Sequence, residues 1–443
     1  MGAVGSDAAG AGAPAGSTRH APPGARAARP SAAETSMASA GTTPDAALTG
    51  AADLARPTGP AGSATSDPRT TPAPARYDWV DLARGFAVVA VVLFHVSIGQ
   101  YYGMEHADAK LVAWWDRINQ IITVVRMPLL FTVSGMLAAG KIRRGFRGGK
   151  ALEASVTNAY LFLVWMTIYG ALLAAAALTG REGVPFQVTS VPAFLVQYWA
   201  PNTPLWYVYA LAVYLLVFTA LRSVHPLAVL TLLVVLHLAT TQTYTLESPL
   251  WTRGLLYAIY FGLGVYGGRL IRAVAANPAL GALFTGLAYL LYQHLGMTKL
   301  MSAKVPEMPD ALVVTALYVC AGLGVFSLAA LVCRAAPYRA IGRYVGSHTL
   351  AIYVLHIPAI TVLSFALEGP LFWLADLVRT NETVDVAYPF IGAAIVVTGC
   401  LAVEAFMLRC GLRWAFALPT GIRLLVEQVR LALAQERPLR RAA

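Results

Sequence analysis

Charged residues are scarce in this chain: 33 Lys and Arg with 22 Asp and Glu make up 12% of 443 residues, where a soluble domain carries about a quarter. With 57% hydrophobic residues, too little polar surface is left to cover a water-soluble body. That excludes a cytosolic enzyme, and the same apolar content excludes a chain disordered throughout. The net charge of +11 comes from cations set singly or in pairs between apolar runs. This is the positive-inside pattern of a polytopic membrane protein, so nucleic acid is not an expected partner. Cysteines number four, Cys320, Cys333, Cys400 and Cys410, with no C-x-x-C spacing. They predict neither a disulfide framework nor a zinc site, and no metal is expected.

Residues 1–76 lack Phe, Trp and Tyr altogether and consist mostly of Ala, Gly, Pro, Ser and Thr. Such a stretch buries too little to offset its ordering entropy, so it is expected to be a disordered cytoplasmic tail. It also lacks a continuous apolar core of signal-peptide type, which leaves the first hydrophobic helix as an uncleaved anchor.

From Tyr77 onward the chain holds ten apolar stretches, near 83–102, 119–140, 155–179, 204–222, 226–240, 252–272, 278–297, 310–334, 346–368 and 387–409. They are continuous rather than alternating, and most are long enough to cross about 30 Å of hydrocarbon. The expected fold is therefore an all-α polytopic membrane protein of about ten transmembrane helices. Lys141, Arg143, Arg144, Arg147 and Lys150 follow the second stretch, and Arg334, Arg339 and Arg343 follow the eighth. With the arginines of the C-terminal tail they fall on one side if ten spans are right, which places both termini in the cytoplasm. Residues 77–410 form the membrane domain in this reading. Residues 411–443 follow as a basic tail in which Ile422, Leu425, Val426, Val429 and Leu433 recur at helical spacing, as in an amphipathic helix on the cytoplasmic leaflet.

An ionisable residue inside hydrocarbon is costly and is a functional candidate by default. In the first stretch Arg84 and His95 are eleven residues apart. That is about 16 Å along a helix axis, and the two return to within about 20° of one face. Arg84 then sits at the cytoplasmic edge, with Asp81 placed to hold it, and His95 lies near the midplane. Singly, a snorkelling Arg and a packing His are the simpler readings; on one stripe beside Asp81, they point to a site.

Several segments resemble the acyltransferase 3 family of integral-membrane O-acyltransferases. Tyr77 to Ala87 followed by His95 is similar to its opening helix, with the Arg-x10-His spacing. Arg126-Met-Pro-Leu-Leu-Phe-Thr-Val-Ser134-Gly135, Pro204-Leu205-Trp206-Tyr207 and Ser347 through Tyr353 to His356-Ile-Pro358 resemble three further family segments, in order. Leu130 and Thr132 loosen the family's Phe-Phe pattern, and Met136 stands where Phe is usual. No esterase-like domain follows the last stretch, so the stand-alone form is expected.

The resemblance implies a cytoplasmic acyl-CoA donor, most commonly acetyl, and an acceptor hydroxyl on a cell-surface glycan, glycolipid or other sugar-bearing molecule. O-acetylation in polysaccharide modification is the typical outcome. No permanently bound cofactor is implied. Arg84 suits an arriving CoA phosphate. His95, poorly solvated, is expected to be a neutral imidazole that takes the acceptor's proton; an acyl-histidine relay is the lesser variant. His356, about ten residues into its helix, falls near the depth of His95 and either assists or packs. Arg126 is expected to stabilise the thioester oxyanion or bind CoA, with pairing to Glu404 or a carbonyl as the plainer alternative.

Ser134 is a weak candidate nucleophile and a candidate substrate contact, since Ser-Gly in a membrane helix more often permits close packing. Tyr198, Trp199, Trp206, Tyr207, His237 and His294 are expected near extracytoplasmic helix ends. There an interfacial aromatic belt is the simpler role, and a stacking surface for an acceptor sugar, with Trp206 and Tyr207 as contacts, is the functional one. The rival readings are a secondary transporter or exporter of a lipid or polar metabolite, and a membrane scaffold. No repeat relates residues 77–240 to 252–410, which weakens the first, and a scaffold needs no Arg and His on one buried stripe.

Overall fold

The computed structural model describes residues 77–177, 190–243, 250–300 and 307–441; the expected N-terminal tail lies outside them. Fifteen α-helices occur among the described residues. They are α1 (Asp78–Gly99), α2 (Ala109–Arg143), α3 (Lys150–Ala177), α4 (Val191–Val196), α5 (Trp206–Ala220), α6 (Pro226–Thr241), α7 (Leu250–Tyr266), α8 (Gly268–Ala276), α9 (Pro278–Leu300), α10 (Met308–Val332), α11 (Ala336–Ser347), α12 (Thr349–Glu368), α13 (Phe372–Thr380), α14 (Glu382–Arg409) and α15 (Thr420–Arg441).

Each of the ten apolar runs lies on helix, but they are not ten equal spans. Among the described residues, seven helices are long and apolar enough to cross a membrane: α1, α2, α3, α5, α10, α12 and α14. An eighth is reached if α7 and α8 form one broken span, bent by 73°. The run expected as a single helix over 252–272 turns there because Gly267 and Gly268 make a break inexpensive. Beyond it, Arg269 and Arg272 are exposed. The 16-residue α6 is shorter than a span, and α9 breaks at Gly296, where φ is +67°, a conformation that favours glycine.

Large apolar side chains such as Leu290, Val362 and Phe406 point outward, as lipid-facing residues do. Inside, α1 is the central helix, packed on α2, α10, α11, α12 and α14. Its crossing with α11 is close because α11 presents Gly342 and Gly346 to it. A Cβ on Gly342 would meet Leu82, and one on Gly346 would meet Asp81 at its backbone. The α2–α7 crossing works the same way. A Cβ on Gly135 would strike the Phe261 carbonyl, and one on Gly264 the Thr132 carbonyl, so Ser134-Gly135 marks helix contact.

Several polar groups inside the bundle find partners. Pro358 cannot donate to the Val354 carbonyl one turn back, and the Tyr169 hydroxyl donates to it instead at 2.8 Å. At the C-terminal end of α1, fully buried Asp385 accepts from the Tyr101 hydroxyl at 2.8 Å, from His106 Nδ1 at 2.9 Å and from the Ala107 N–H at 2.9 Å. That carboxylate ties the α1–α2 connection to α14. The α15 helix packs on the start of α3 through buried Val426 and an Arg423–Glu153 ion pair of 3.1 Å, leaving Leu425 and Val429 exposed; the side chain of Leu433 lies outside the described residues.

Candidate active site

The stripe of α1 that carries Arg84 and His95 faces α11 and α12. At its start Arg84 Nη2 donates to the Gly346 carbonyl and lies 3.4 Å from Asp81 Oδ1. About three turns on, the His95 ring meets that of His356 on α12, with centroids 4.9 Å apart and planes at 59°. His95 Nδ1 lies 2.8 Å from the Val91 carbonyl and His356 Nδ1 2.6 Å from the Tyr353 carbonyl. A carbonyl only accepts, so each Nδ1 carries a proton, which in a neutral ring leaves the lone pair on Nε2. The His356 ring is fully buried, and its Nε2 has no hydrogen-bond partner among the described residues.

Arg126 reaches the same place from α2. Its guanidinium carbon stands 3.7 Å over the centroid of the Phe94 ring, a cation–π contact. The side chain is buried, and Nη1 has no hydrogen-bond partner among the described residues. His95 and the hydroxyls of Tyr257, Tyr318 and Tyr353 are within its electrostatic reach. Glu404 is not its partner: that carboxylate lies 4.0 Å from His348 Nε2. An unpaired buried cation is expensive to keep, and one beside the His95 imidazole is suited to a substrate that brings negative charge.

Ser134 and Tyr207 are joined at 2.6 Å, and Ser134 Oγ donates to the Leu130 carbonyl at 2.9 Å. The serine proton is thus directed at its own helix, and Tyr207 is the donor in the pair. Tyr207 in turn packs on Tyr353 at 5.0 Å, and Tyr353 on His356 at 5.6 Å. Trp206 packs on Phe131 and on Tyr257, each at 5.6 Å. Both Trp206 and Tyr207 are buried, so they form part of the aromatic wall around the centre rather than an interfacial belt. Of the other residues expected at that end, Trp199 is exposed and Tyr198 bonds Thr167 at 2.6 Å. His237 is satisfied at both nitrogens, by Leu256 and Thr315 at 2.8 and 2.9 Å, and acts in packing.

The sequence reading missed Tyr353, Phe94, Tyr257 and Tyr318 as members of this centre. Tyr353 was detectable, since it precedes His356 by three residues on one helix face. Tyr257 and Tyr318 carry no local mark; only the packing of α7 and α10 against α2 brings them near Arg126.

A bundle of apolar helices with two buried imidazoles and a buried guanidinium at its centre defines a multi-pass membrane protein with a polar centre inside the bundle. The family model described as an acyltransferase domain matches residues 77–405, three quarters of the chain and every residue of that centre. The chain belongs to the acyltransferase 3 family and is a membrane acyltransferase. No curated protein and no solved structure matches it.

Proposed function

We propose that the enzyme transfers an acyl group, acetyl in the simplest case, from acyl-CoA to a hydroxyl of a cell-surface glycan, glycolipid or other sugar-bearing acceptor. The donor arrives from the cytoplasm, at the end of the bundle where α1 begins, and both termini lie on that side. The observation that carries this reading is the meeting of His95 and His356, with Arg126 close by and its Nη1 unpaired.

In the proposed step the acceptor oxygen attacks the thioester carbonyl while His95 Nε2 takes the hydroxyl proton. The carbonyl π electrons move to oxygen, and the Arg126 guanidinium balances the oxyanion. As that oxyanion collapses, the C–S bond breaks, the ester forms, and the departing CoA thiolate recovers the proton from the imidazolium. His356 holds the His95 ring against rotation and supplies a second basic nitrogen to the pocket. Arg84, fixed by Asp81 and the Gly346 carbonyl, guides the donor inward. Trp206, Tyr207 and Ser134 lie on the acceptor side of this centre.

Purified protein in membranes, labelled acetyl-CoA and a panel of sugar acceptors test the reading. Labelled ester that depends on His95 is the expected result. Acceptor flux across vesicles without ester formation, or full transfer by His95→Gln, overturns it.

A further inference from the structure

A cavity of about 770 Å³ opens at the end of the bundle where α1 begins. Its walls are the first turn of α1, the last two turns of α2 and the α7–α8 bend, and Lys141, Arg143, Arg144, Arg269 and Arg272 line it. The lining holds a single carboxylate, Asp81, which is engaged with Arg84. None of the five cations forms an ion pair among the described residues. The hydroxyl of Tyr266, also in the lining, is buried without a hydrogen-bond partner among those residues.

The positive-inside rule accounts for Lys141, Arg143 and Arg144, which follow a span. It does not account for the geometry of the other two. The 73° bend at Gly267 turns α8 so that Arg269 and Arg272, one turn apart on a single face, line the same cavity as the α2 cations. Arg272 folds back over the start of its own helix: a Cβ on Gly268 would lie 3.3 Å from its Nη1. The Arg272 guanidinium therefore lies close to the start of α8, and a helix start with a cation beside it is a phosphate-binding arrangement.

We propose that this cavity binds the phosphates of CoA, with Arg269 and Arg272 as their principal ligands. The assignment rests on the acyl-CoA reading above. Asp81 at the inner wall and His95 are fourteen residues apart on α1, about 21 Å along the axis, a distance suited to an extended phosphopantetheine arm. The nucleotide would stay in the basic cavity while the thioester reaches the imidazoles.

The test is equilibrium binding without turnover, using the full chain in lipid-free detergent and titrating CoA, dephospho-CoA and inorganic pyrophosphate. R269Q/R272Q should weaken CoA at least about tenfold and narrow the difference between CoA and dephospho-CoA. The double variant R269K/R272K should recover part of the affinity. H95Q should bind CoA as the wild type does. Both arginines are exposed, and an unchanged gel-filtration profile and melting temperature separate lost binding from lost fold. If wild type binds CoA and R269Q/R272Q binds it equally well, the cavity assignment fails while the donor reading stands. If wild type binds pyrophosphate but not CoA, the donor reading fails and the CoA assignment with it. If phosphatidylglycerol titrated into the detergent binds wild type but not R269Q/R272Q, while both bind CoA equally, the cavity is a lipid-headgroup site and the proposal is overturned.

Discussion

His95 on α1 and His356 on α12 lie 261 positions apart in sequence, yet their rings meet at 4.9 Å. Each spends Nδ1 on a carbonyl of its own helix, so neither needs the other to fix its tautomer. If His95 is the base, H95Q should lower kcat about 10²–10⁴-fold with little change in donor KM. H356Q should cost less. An H356Q effect equal to that of H95Q, measured by labelled acyl transfer, would assign the base role to the pair rather than to His95.

Arg126 gives a test in which activity and stability part company. A buried guanidinium with an unpaired Nη1 contributes little to stability, so R126M should keep or raise the melting temperature. If the guanidinium balances the oxyanion, the same variant should lose about 10²–10³-fold in kcat. R126K should recover only part of that. A large fall in melting temperature without a kcat effect would make Arg126 structural.

Ser134 should not behave as a nucleophile. S134A removes the bond from Tyr207 and the donation to Leu130, costing about 1 kcal/mol of stability, while acyl transfer persists. A trapped acyl-enzyme that disappears in S134A would contradict this.

The α2–α7 crossing should tolerate no side chain at Gly135 or Gly264. A methyl at either site meets backbone of the facing helix, which can yield only by separating the helices. G135A or G264A should therefore destabilise by about 1–3 kcal/mol or more, read as a lower melting temperature in detergent. G140A is the control, since a Cβ there meets nothing within 4 Å.

Asp385 should act as a staple far from the donor end. D385A strands the Tyr101 hydroxyl and the Ala107 N–H that it accepts from, each at about 1–3 kcal/mol. A marked loss of thermal stability with unchanged donor KM in the surviving protein is expected; a selective donor KM effect would move Asp385 into the donor path.

Much of this was legible in the sequence because hydrocarbon makes polar residues conspicuous. Arg84, His95, Arg126 and His356 stood out against apolar runs, and helical period alone put the first two on one stripe. Ser134-Gly135 was readable as a packing pair, since small residues in membrane helices serve close approach. Trp206 and Tyr207 were harder: aromatic residues near a helix end suit an interface as well as a core, and only their neighbours Phe131, Tyr257 and Tyr353 separate the two.

The sequence by itself determined the membrane class, the helical runs and the short roster of buried ionisable residues, because these follow from local composition and period. The tertiary structure decided which of them meet. It paired His95 with His356, set Arg126 over Phe94, and enclosed Trp206 and Tyr207. It also broke the 252–272 run at Gly267, so that Arg269 and Arg272 joined the cations of α2 around one cavity. The physical reason is that helix crossings depend on where small residues let backbones approach, as at Gly346 and Gly264, and on where a glycine pair lets a helix turn. Those are relations between distant segments, and no window along the chain contains them.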